Sequence, residues 1–256
     1  MKRFILFLKH NSMVAGWIAV VFWLVVWHVA SEIIANSIII VSPIAAFARL
    51  FQLAGQGHFW QSVGASLTRI MAGFGLALVL GVALAAVTSK IKFLYALTLP
   101  VFNIMKSIPV ASFIILAWMW MSSQSLSTFI AFITVLPIVY FNTYEGIKTT
   151  NVKLLEMAQV FRVQRHKVLR DIYFPAVAPH VVSAASSGLG FAFKSGIAAE
   201  IIGLARDTIG FNLHTARIFL QTEDVLAWTI AIVLLSYVME KLFTLLMKKV
   251  KYDAKT

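Results

Sequence analysis

Three ionisable residues stand inside stretches of sequence that are otherwise apolar enough for a bilayer: Lys106, Lys194 and Glu200. Charged side chains are costly in hydrocarbon, and in spanning segments they usually face a bundle interior or a water-filled cavity. A lysine in such a place would ease the passage of an anion. The three residues are therefore candidates for lining a translocation path, with Lys194, near mid-depth of its apolar run, as the first of them.

A structural interpretation of the same residues stays open. Each lysine could pair with Glu200 or a backbone carbonyl, or extend its aliphatic stem so that the ammonium group reaches the membrane interface. Lys106 lies close to Pro109, which favours a packing role at a helix break. Glu200 follows Lys194 by six residues, so the two do not share a helix face and a direct pair is not expected.

The chain lacks the residue patterns of covalent or metal catalysis. Its histidines show no metal-ligand pairing, and it has no cysteine for a disulfide or a thiolate-bound metal. No Gly-Lys-Ser/Thr phosphate-binding run occurs, so ATP would have to be bound by another chain. We therefore predict no enzyme activity, no metal site and no cofactor in this chain.

A polar segment, residues 151–179, interrupts the apolar sequence. Val152, Leu155 and Ala158 recur at helical spacing with charged residues between them, which predicts a short amphipathic helix. A second one, about Gln164–Phe174, should end before Pro175, because proline cannot continue a hydrogen-bonded helix. The segment is too polar to span a bilayer, so it should lie along one membrane face and contact a soluble partner.

Composition and apolar runs predict the elements that must position these residues. Hydrophobic residues make up 60% of the 256-residue chain and charged residues 12%, against about 25% charged in soluble domains. About 20 apolar residues cross a bilayer, and the third of the predicted spans contains Pro100 and Pro109, so it should be kinked or broken. We predict an all-α integral membrane protein with six transmembrane helices, at about Val14–Ile34, Leu67–Ser89, Leu94–Met121, Leu126–Thr143, Val181–Gly203 and Val225–Met247.

The distribution of basic residues predicts the orientation. The net charge of +12 lies mostly in connections between apolar blocks, so it indicates membrane orientation rather than a nucleic-acid partner. The connections on the opposite side from the termini hold only Arg49, Arg206 and Arg217. Both termini and the polar segment should therefore be cytoplasmic. The basic residues on that side are Lys2, Arg3, Lys9, Lys90, Lys92, Lys148, Lys153, Arg162, Arg165, Lys167, Arg170, Lys241, Lys248, Lys249, Lys251 and Lys255.

The polar segment also carries a spaced motif. The chain reads Glu156-Met157-Ala158, then Arg162 three residues on, and then Ile172, Phe174 and Pro175. This resembles the cytoplasmic loop of binding-protein-dependent ABC importer permeases, whose form is E-A-A, three residues, glycine, nine residues and I-x-L-P. Met157, Arg162 and Phe174 depart from that pattern. Arg162 replaces the glycine at the turn, so either the turn needs no positive φ or arginine adopts one at some cost.

Further matching stretches extend the resemblance along most of the chain. In order and spacing they are similar to the permeases of the nitrate, sulfonate, taurine and bicarbonate importer group, which includes vitamin-precursor systems. The stretches are Val41-Ser42-Pro43, Ser107-Ile108-Pro109, Asn142-Thr143-Tyr144-Glu145-Gly146 and Ala199-Glu200-Ile201-Ile202-Gly203.

The resemblance implies the type I ABC importer permease fold, with residues 1–256 as a single transmembrane domain of the bacterial inner membrane. It implies a path for a small, anionic or vitamin-precursor-like solute delivered by an extracytoplasmic binding protein. Its partners would be a second copy of itself or a paralogue, two ATPase subunits that bind the ATP, and membrane lipid. The residues that it assigns to ATPase coupling are Glu156, Ala158, Arg162, Ile172 and Pro175.

The residues themselves argue against two other classes of function. A secondary, ion-coupled transporter would need a coupling-ion site near mid-membrane, and a lysine without an acidic partner argues against one. A membrane-embedded enzyme would need paired carboxylates, histidines or a nucleophile at membrane depth, and the sequence predicts no such convergence.

Overall fold

The structure is a computed structural model that describes residues 12–253. The predicted inner-side basic residues Lys2, Arg3, Lys9 and Lys255 lie outside the described residues, as do the side chains of Lys248, Lys249 and Lys251. Every regular element in the described part is helical. The elements are α1 Ser12–Ile34, α2 Pro43–Ala54, α3 Gly57–Thr88, α4 Lys92–Ser107, α5 Val110–Trp118, α6 Ser123–Lys148, α7 Val152–Val160, α8 Arg165–Val168, a π-helical turn Leu169–Tyr173, α9 Phe174–Gly203, α10 Ile209–Ile218 and α11 Thr222–Asp253.

Four helical stretches in the described residues are long and apolar enough to cross a membrane, and a bent pair of helices makes a fifth. They correspond to the second to sixth predicted spans. The prediction of an all-helical protein with several apolar spans is therefore confirmed. The apolar part described for the first predicted span, Ile18–Ile34, is shorter than the others, so a sixth crossing stays a prediction. The four stretches are Gly57–Thr88, Ser123–Lys148, Arg165–Gly203 and Thr222–Leu245.

The third predicted span is broken, as its prolines indicated. Helix α4 ends at Ser107, α5 begins at Val110, and the two axes differ by 103°. Pro109 occupies the N-cap position of α5, where its missing N–H disrupts no helical bond. Pro100 lies inside α4 without a break. The next helix starts at Ser123, because the Ser122 hydroxyl accepts a hydrogen bond from the Ser125 N–H and so caps the helix.

The described residues fall into two compact units. One comprises the described residues up to Phe59 together with Leu213–Ala231. In it the indole of Trp27 donates a hydrogen bond to the Val41 carbonyl at 3.0 Å. The guanidinium of Arg49 pairs with Asp224, whose hydrogen bond raises the pKa of Arg49 above its ordinary value.

The other unit comprises Trp60–Asn212 and the residues from Ile232 onward. Its core is built from α3, α6 and α9, and α9 packs mainly against α6. Small residues bring the helices close together, as is usual between spanning helices. A methyl group on Gly196 of α9 would lie 2.6 Å from the Ile70 side chain of α3, and one on Gly73 would collide with the Thr128 carbonyl of α6. This tight core carries the ionisable residues of the apolar spans.

Candidate functional site

The predicted amphipathic helix of the polar segment is α7. Asn151 is its N-cap, and the side-chain oxygen of Asn151 accepts a hydrogen bond from the Lys153 N–H at 3.0 Å, which satisfies one unpaired donor of the first turn. Helix α7 buries one side chain, Ala158, which is 4% exposed. Glu156 is exposed. The helix thus offers a polar face that is free to contact a partner.

The turn after α7 answers the question that Arg162 raised. Arg162 has φ of 51°, so arginine adopts the left-handed conformation at the position where the family pattern has glycine. The Val163 N–H donates to the Ala158 carbonyl at 2.8 Å and the Arg162 N–H to the Gln159 carbonyl at 3.1 Å. These two bonds form a Schellman motif. The turn therefore has the geometry that glycine favours, with an arginine in its place.

The tip of this turn is apolar and exposed. Val160 is 77% and Phe161 75% exposed. We call residues 152–175 the coupling segment. Its basic side chains at Arg162 and Arg165 are exposed as well. An exposed phenylalanine beside arginines is a combination enriched where proteins bind one another.

The predicted end of the second amphipathic helix before Pro175 is wrong. The helix that starts at Arg165 continues to Gly203 as one stretch, so Pro175 and Pro179 lie inside a helix instead of ending one. The physical reason is the π-helical turn: the Phe174 N–H bonds the Leu169 carbonyl five residues back, which widens the turn. Pro175 then falls in the first turn of α9, where a missing N–H is tolerated. Ile172 lies in the widened turn and is half-buried.

The two lysines of the apolar spans lie against aromatic rings. The Lys106 ammonium is 4.3 Å from the centre of the Phe141 ring, and that of Lys194 is 6.0 Å from the centre of the Phe191 ring. Both side chains are exposed, and neither forms an ion pair with a described carboxylate. The pairing of either lysine with Glu200, which stayed open from sequence, is absent from this part of the structure.

Both lysines neighbour residues near the middle of α6. The hydroxyls of Thr134 in α6 and Ser195 in α9 are 2.8 Å apart, which gives Lys194 a depth close to that of Thr134. Thr134 also lines a small apolar cavity at the break between α4 and α5, together with Met105 and Ile108. Lys106 lies between those two residues in sequence. The break, the cavity and the chain positions that carry Lys106 and Lys194 therefore lie near Thr134.

Glu200 is separate from this level and fully buried, at 0% exposure. Its Oε2 atom accepts hydrogen bonds from the Ser66 hydroxyl at 2.7 Å and the Gly210 N–H at 3.1 Å. The guanidinium of Arg69 is close enough to attract this carboxyl group. The structure thus does not bring together the three residues predicted for a path: it exposes two and buries the third.

Comparison with protein families decides the class of the chain. The family described as "Binding-protein-dependent transport system inner membrane component" matches residues 73–252, which include the second half of α3, the coupling segment, α6 and α9. The chain belongs to this family. It is an inner-membrane permease of the ABC importer type, a class of transport protein rather than of enzyme.

Several characterised permeases resemble it in sequence. The taurine transport system permease protein TauC of Escherichia coli (strain K12) is 24% identical over 220 residues, which cover 84% of this chain and 80% of TauC. The bicarbonate transport system permease protein CmpB of Synechococcus elongatus is 28% identical over 63% of this chain and 58% of CmpB. The nitrate import permease protein NrtB of a Synechocystis strain is 28% identical over 59% of this chain and 55% of NrtB.

Solved structures share the fold of the permease. A bacterial ABC transporter involved in the import of the acidic polysaccharide alginate matches 98% of this chain with a TM-score of 0.56 and 16% identity. The alginate transporter in complex with an alginate pentasaccharide-bound periplasmic protein matches 95% of the chain, also with a TM-score of 0.56. At these identities the likeness concerns the fold alone.

Sequence reasoning missed the partners of Glu200 in the permease. Ser66 and Gly210 donate to this carboxyl group, and Ile209 donates to the Ser66 hydroxyl, although Ser66 precedes Glu200 by 134 residues. Little in the sequence indicated these contacts, because a serine in an apolar span and a glycine at a loop end are common in spanning proteins. Only the packing of α3 against α9 relates them.

Proposed function

We propose that the permease forms the translocation path for a small anionic solute and that ATP hydrolysis in partner subunits drives this path through the coupling segment. The solute would arrive on an extracytoplasmic binding protein. The working unit would be two permease chains with two ATPase subunits. The observation that carries the proposal is the coupling segment, a capped helix whose exposed apolar tip is held by a Schellman turn.

The contacts of the segment fit the transmission of force. Its amphipathic helix α7 is fixed at both ends, by Asn151 and by the turn at Arg162. Its second half is continuous with the spanning helix α9, since the helix passes through Pro175 without interruption. A push on the segment would therefore be transmitted along a rigid helix into the core rather than absorbed by a flexible loop.

The orientation follows from charge. The coupling segment is basic, with exposed Arg162, Arg165 and Lys167, and the turn between α3 and α4 adds Lys90. Basic connections stay on the cytoplasmic side of a membrane. We infer that the termini and the coupling segment are cytoplasmic, which places α2 and the residues between α9 and α11 outside. This orientation is consistent with six crossings, in which α1 is the first.

An anionic solute is supported by two independent features. Lys106 and Lys194 lie inside apolar spans with exposed side chains, and their ammonium groups have aromatic faces instead of described carboxylates beside them. An exposed charge inside a span is tolerable beside water or a second chain but not beside lipid. The relatives named for bicarbonate and nitrate handle anions. The two lysines would lower the electrostatic barrier to such an ion.

The alternative function is a secondary, ion-coupled transporter. It would need a site for the coupling ion among carboxylates or carbonyls at mid-depth. The carboxyl group described in the core, Glu200, is fully buried and occupied by Ser66 and Gly210. A carrier of this kind also has no use for a capped helix with an exposed apolar tip, so the ATP-driven importer is the better account.

Reconstituted transport tests the coupling proposal. The complex of permease, ATPase and binding protein is placed in vesicles, and Ala158→Trp or Glu156→Lys is compared with the unchanged protein. We expect ATP-driven uptake to fall about tenfold or more, as for the loss of a central interface contact. Glu223→Lys, a charge reversal at an exposed residue of α11, serves as the control. Normal uptake with both Ala158→Trp and Glu156→Lys, or uptake without ATP, would contradict the proposal.

A second measurement tests the path. Lys194→Met should lower the uptake of an anionic solute about tenfold and leave ATP hydrolysis by the assembled complex in place, because one favourable charge interaction of about 1.4 kcal/mol is lost. Lys106→Met should act in the same direction. Lys90→Met removes an exposed lysine from the turn before α4 and should have little effect. Unchanged uptake with Lys194→Met would remove that residue from the path.

A further inference from the structure

The buried carboxyl group of Glu200 connects three helices at the point where α9 ends. Its Oε2 atom accepts from the Ser66 hydroxyl of α3 and from the Gly210 N–H of α10. The Ser66 hydroxyl oxygen in turn accepts from the Ile209 N–H at 3.0 Å. One carboxyl group and one hydroxyl thus satisfy two backbone donors at the start of α10, which would otherwise be unpaired.

The start of α10 packs directly against α9 and leaves no space for an added side-chain atom. A methyl group on Gly210 would collide with Cβ of Glu200 and lie 2.9 Å from the Ile201 nitrogen, so only glycine allows this approach. Thr208 caps the helix: its hydroxyl accepts from the Phe211 N–H at 3.1 Å and donates to the Ala205 carbonyl at 2.6 Å. The carboxyl group therefore lies at a capped helix N-terminus, where negative charge is favourable.

The connection between α9 and α10, residues 204–208, is held in an unusual backbone conformation. Leu204 has φ of 54° and Asp207 φ of 58°, the left-handed region that costs about 1–2 kcal/mol for residues with a side chain. The Ala205 N–H closes the end of α9 on the Glu200 carbonyl at 3.2 Å. Such conformations persist where the surroundings fix them, and the contacts around Glu200 are the ones that do so.

We call the place where Glu200, Ser66, residues 204–208 and the start of α10 meet the Glu200 junction. A basic side chain also lies near it. The guanidinium of Arg69, one turn of α3 after Ser66, attracts the Glu200 carboxyl group. The Oε1 atom of Glu200 and the Nη1 atom of Arg69 are both buried and have no hydrogen-bond partner among the described residues. Both residues therefore contribute polar atoms to the buried contact between α3 and α9.

We propose that Glu200 is a positioning residue that locks residues 204–208 and the start of α10 onto the α3–α9 pair. The connection then moves with the core as one rigid piece and presents the exposed Arg206 and Asp207 in a fixed arrangement. On the proposed function, on which this consequence rests, these residues lie on the outer face, where a rigid surface lowers the entropic cost of docking the binding protein.

Cysteine labelling tests the lock without any transport measurement. The chain contains no cysteine, so an introduced cysteine is the single labelling site on the permease band after electrophoresis. Ala205 in the connection is fully buried, and Ala205→Cys should be protected from a membrane-impermeant maleimide in the purified permease complex. Adding Glu200→Ala removes the acceptor, and the labelling rate of the Ala205→Cys protein should rise about tenfold or more, as local opening becomes easier.

Matched variants separate the lock from general destabilisation. Ala184, buried in α9 far from the junction, provides Ala184→Cys, which should stay protected when Glu200→Ala is added. Glu200→Gln keeps an acceptor oxygen of the same shape and should raise labelling of the Ala205→Cys protein less. Ser66→Ala tests the junction with a smaller change and should raise it too. Unchanged protection of Ala205→Cys with Glu200→Ala and Ser66→Ala, or equal exposure of Ala184→Cys, would overturn the proposal.

The consequence for transport has its own readout. With Glu200→Gln or Ser66→Ala, the concentration of binding protein that gives half-maximal ATPase stimulation should rise severalfold, while the maximal rate stays close to normal. A fall in the maximal rate alone would contradict docking through this connection. If the binding protein has no effect on any variant or on the unchanged permease, the proposed function fails and the labelling result still stands on its own.

Discussion

The coupling segment and the Glu200 junction each stabilise the end of a helix, but they do so with different groups. Each contains a helix end followed by a non-glycine residue in the left-handed conformation, Arg162 in one and Leu204 in the other. In the coupling segment the polar and apolar side chains around that end are exposed, and backbone bonds maintain the turn. In the junction the polar side chains are buried, and Glu200 and Ser66 maintain it.

The difference indicates which region is stabilised by contacts within the chain and which region is available to bind a partner. In the junction, Oε2 of Glu200, the Ser66 hydroxyl and two backbone N–H groups bond one another inside the protein, which favours one local structure. An exposed phenylalanine at the tip of a rigid, basic segment has no such internal partner and gains most from burial in another protein. We therefore expect substitutions in the junction to affect folding and those in the coupling segment to affect assembly.

The largest effect should come from Gly210→Ala. The added methyl group would collide with Glu200 and approach the backbone of Ile201, and overpacking against a rigid backbone costs about 3 kcal/mol or more. The fraction of monodisperse permease after solubilisation and its thermal midpoint measure this cost. Gly75→Ala is the control, because nothing lies within 4 Å of the added methyl group, and it should be neutral or stabilising. Equal stability of the two variants would refute the close packing at the junction.

A smaller effect is expected at the beginning of the coupling segment. Asn151→Ala removes the side chain that caps α7, which costs about 1 kcal/mol of local stability. The global thermal midpoint should barely change, while ATP-driven uptake falls because α7 frays at its start. Asn151→Asp retains a capping oxygen and should restore uptake. A loss of global stability comparable to that of Gly210→Ala would erase the distinction between the two regions.

The smallest effect should be an increase in the stability of the turn after α7. Arg162→Gly places the residue with the least strain at φ of 51° and should stabilise the turn by about 0.5–1 kcal/mol. Hydrogen exchange of the Val163 amide, bonded to Ala158, would become slower. Arg165→Gly is the matched control, because Arg165 is helical and glycine there should cost about 1 kcal/mol. Faster exchange with Arg162→Gly would show that the arginine side chain itself supports the turn.

Much of this arrangement could be predicted because it depends on local sequence. Pro109 predicted the break between α4 and α5, and the spacing from Glu156 to Pro175 predicted the coupling segment. The glycine position of the motif identified Arg162 as the residue whose φ mattered. The break at Pro109 is set by that residue's own backbone preferences, which a single sequence displays. The assignment of the coupling segment and of the glycine position at Arg162 instead rested on the resemblance to the importer permeases.

The remainder depends on contacts between distant residues or on cooperative geometry. The usual rule that proline ends a helix predicted a helix end before Pro175. The π-helical turn from Leu169 instead places Pro175 in the first turn of α9, where its missing N–H is tolerated. Glu200 was predicted to line a path because it is charged within a span. Its burial follows from Ser66 and Gly210, which reach it only after α3 and α10 have packed against α9.

One measurement tests the central claim most directly: recovery of the ATPase subunit with a tagged permease that carries Phe161→Asp. Phe161 is 75% exposed at the tip of the coupling segment, and Phe219, 68% exposed after α10, is the matched control. We predict that Phe161→Asp abolishes both co-purification of the ATPase and ATP-driven uptake, whereas Phe219→Asp leaves the ATPase bound. Full recovery of the ATPase with Phe161→Asp would contradict the coupling role of the segment.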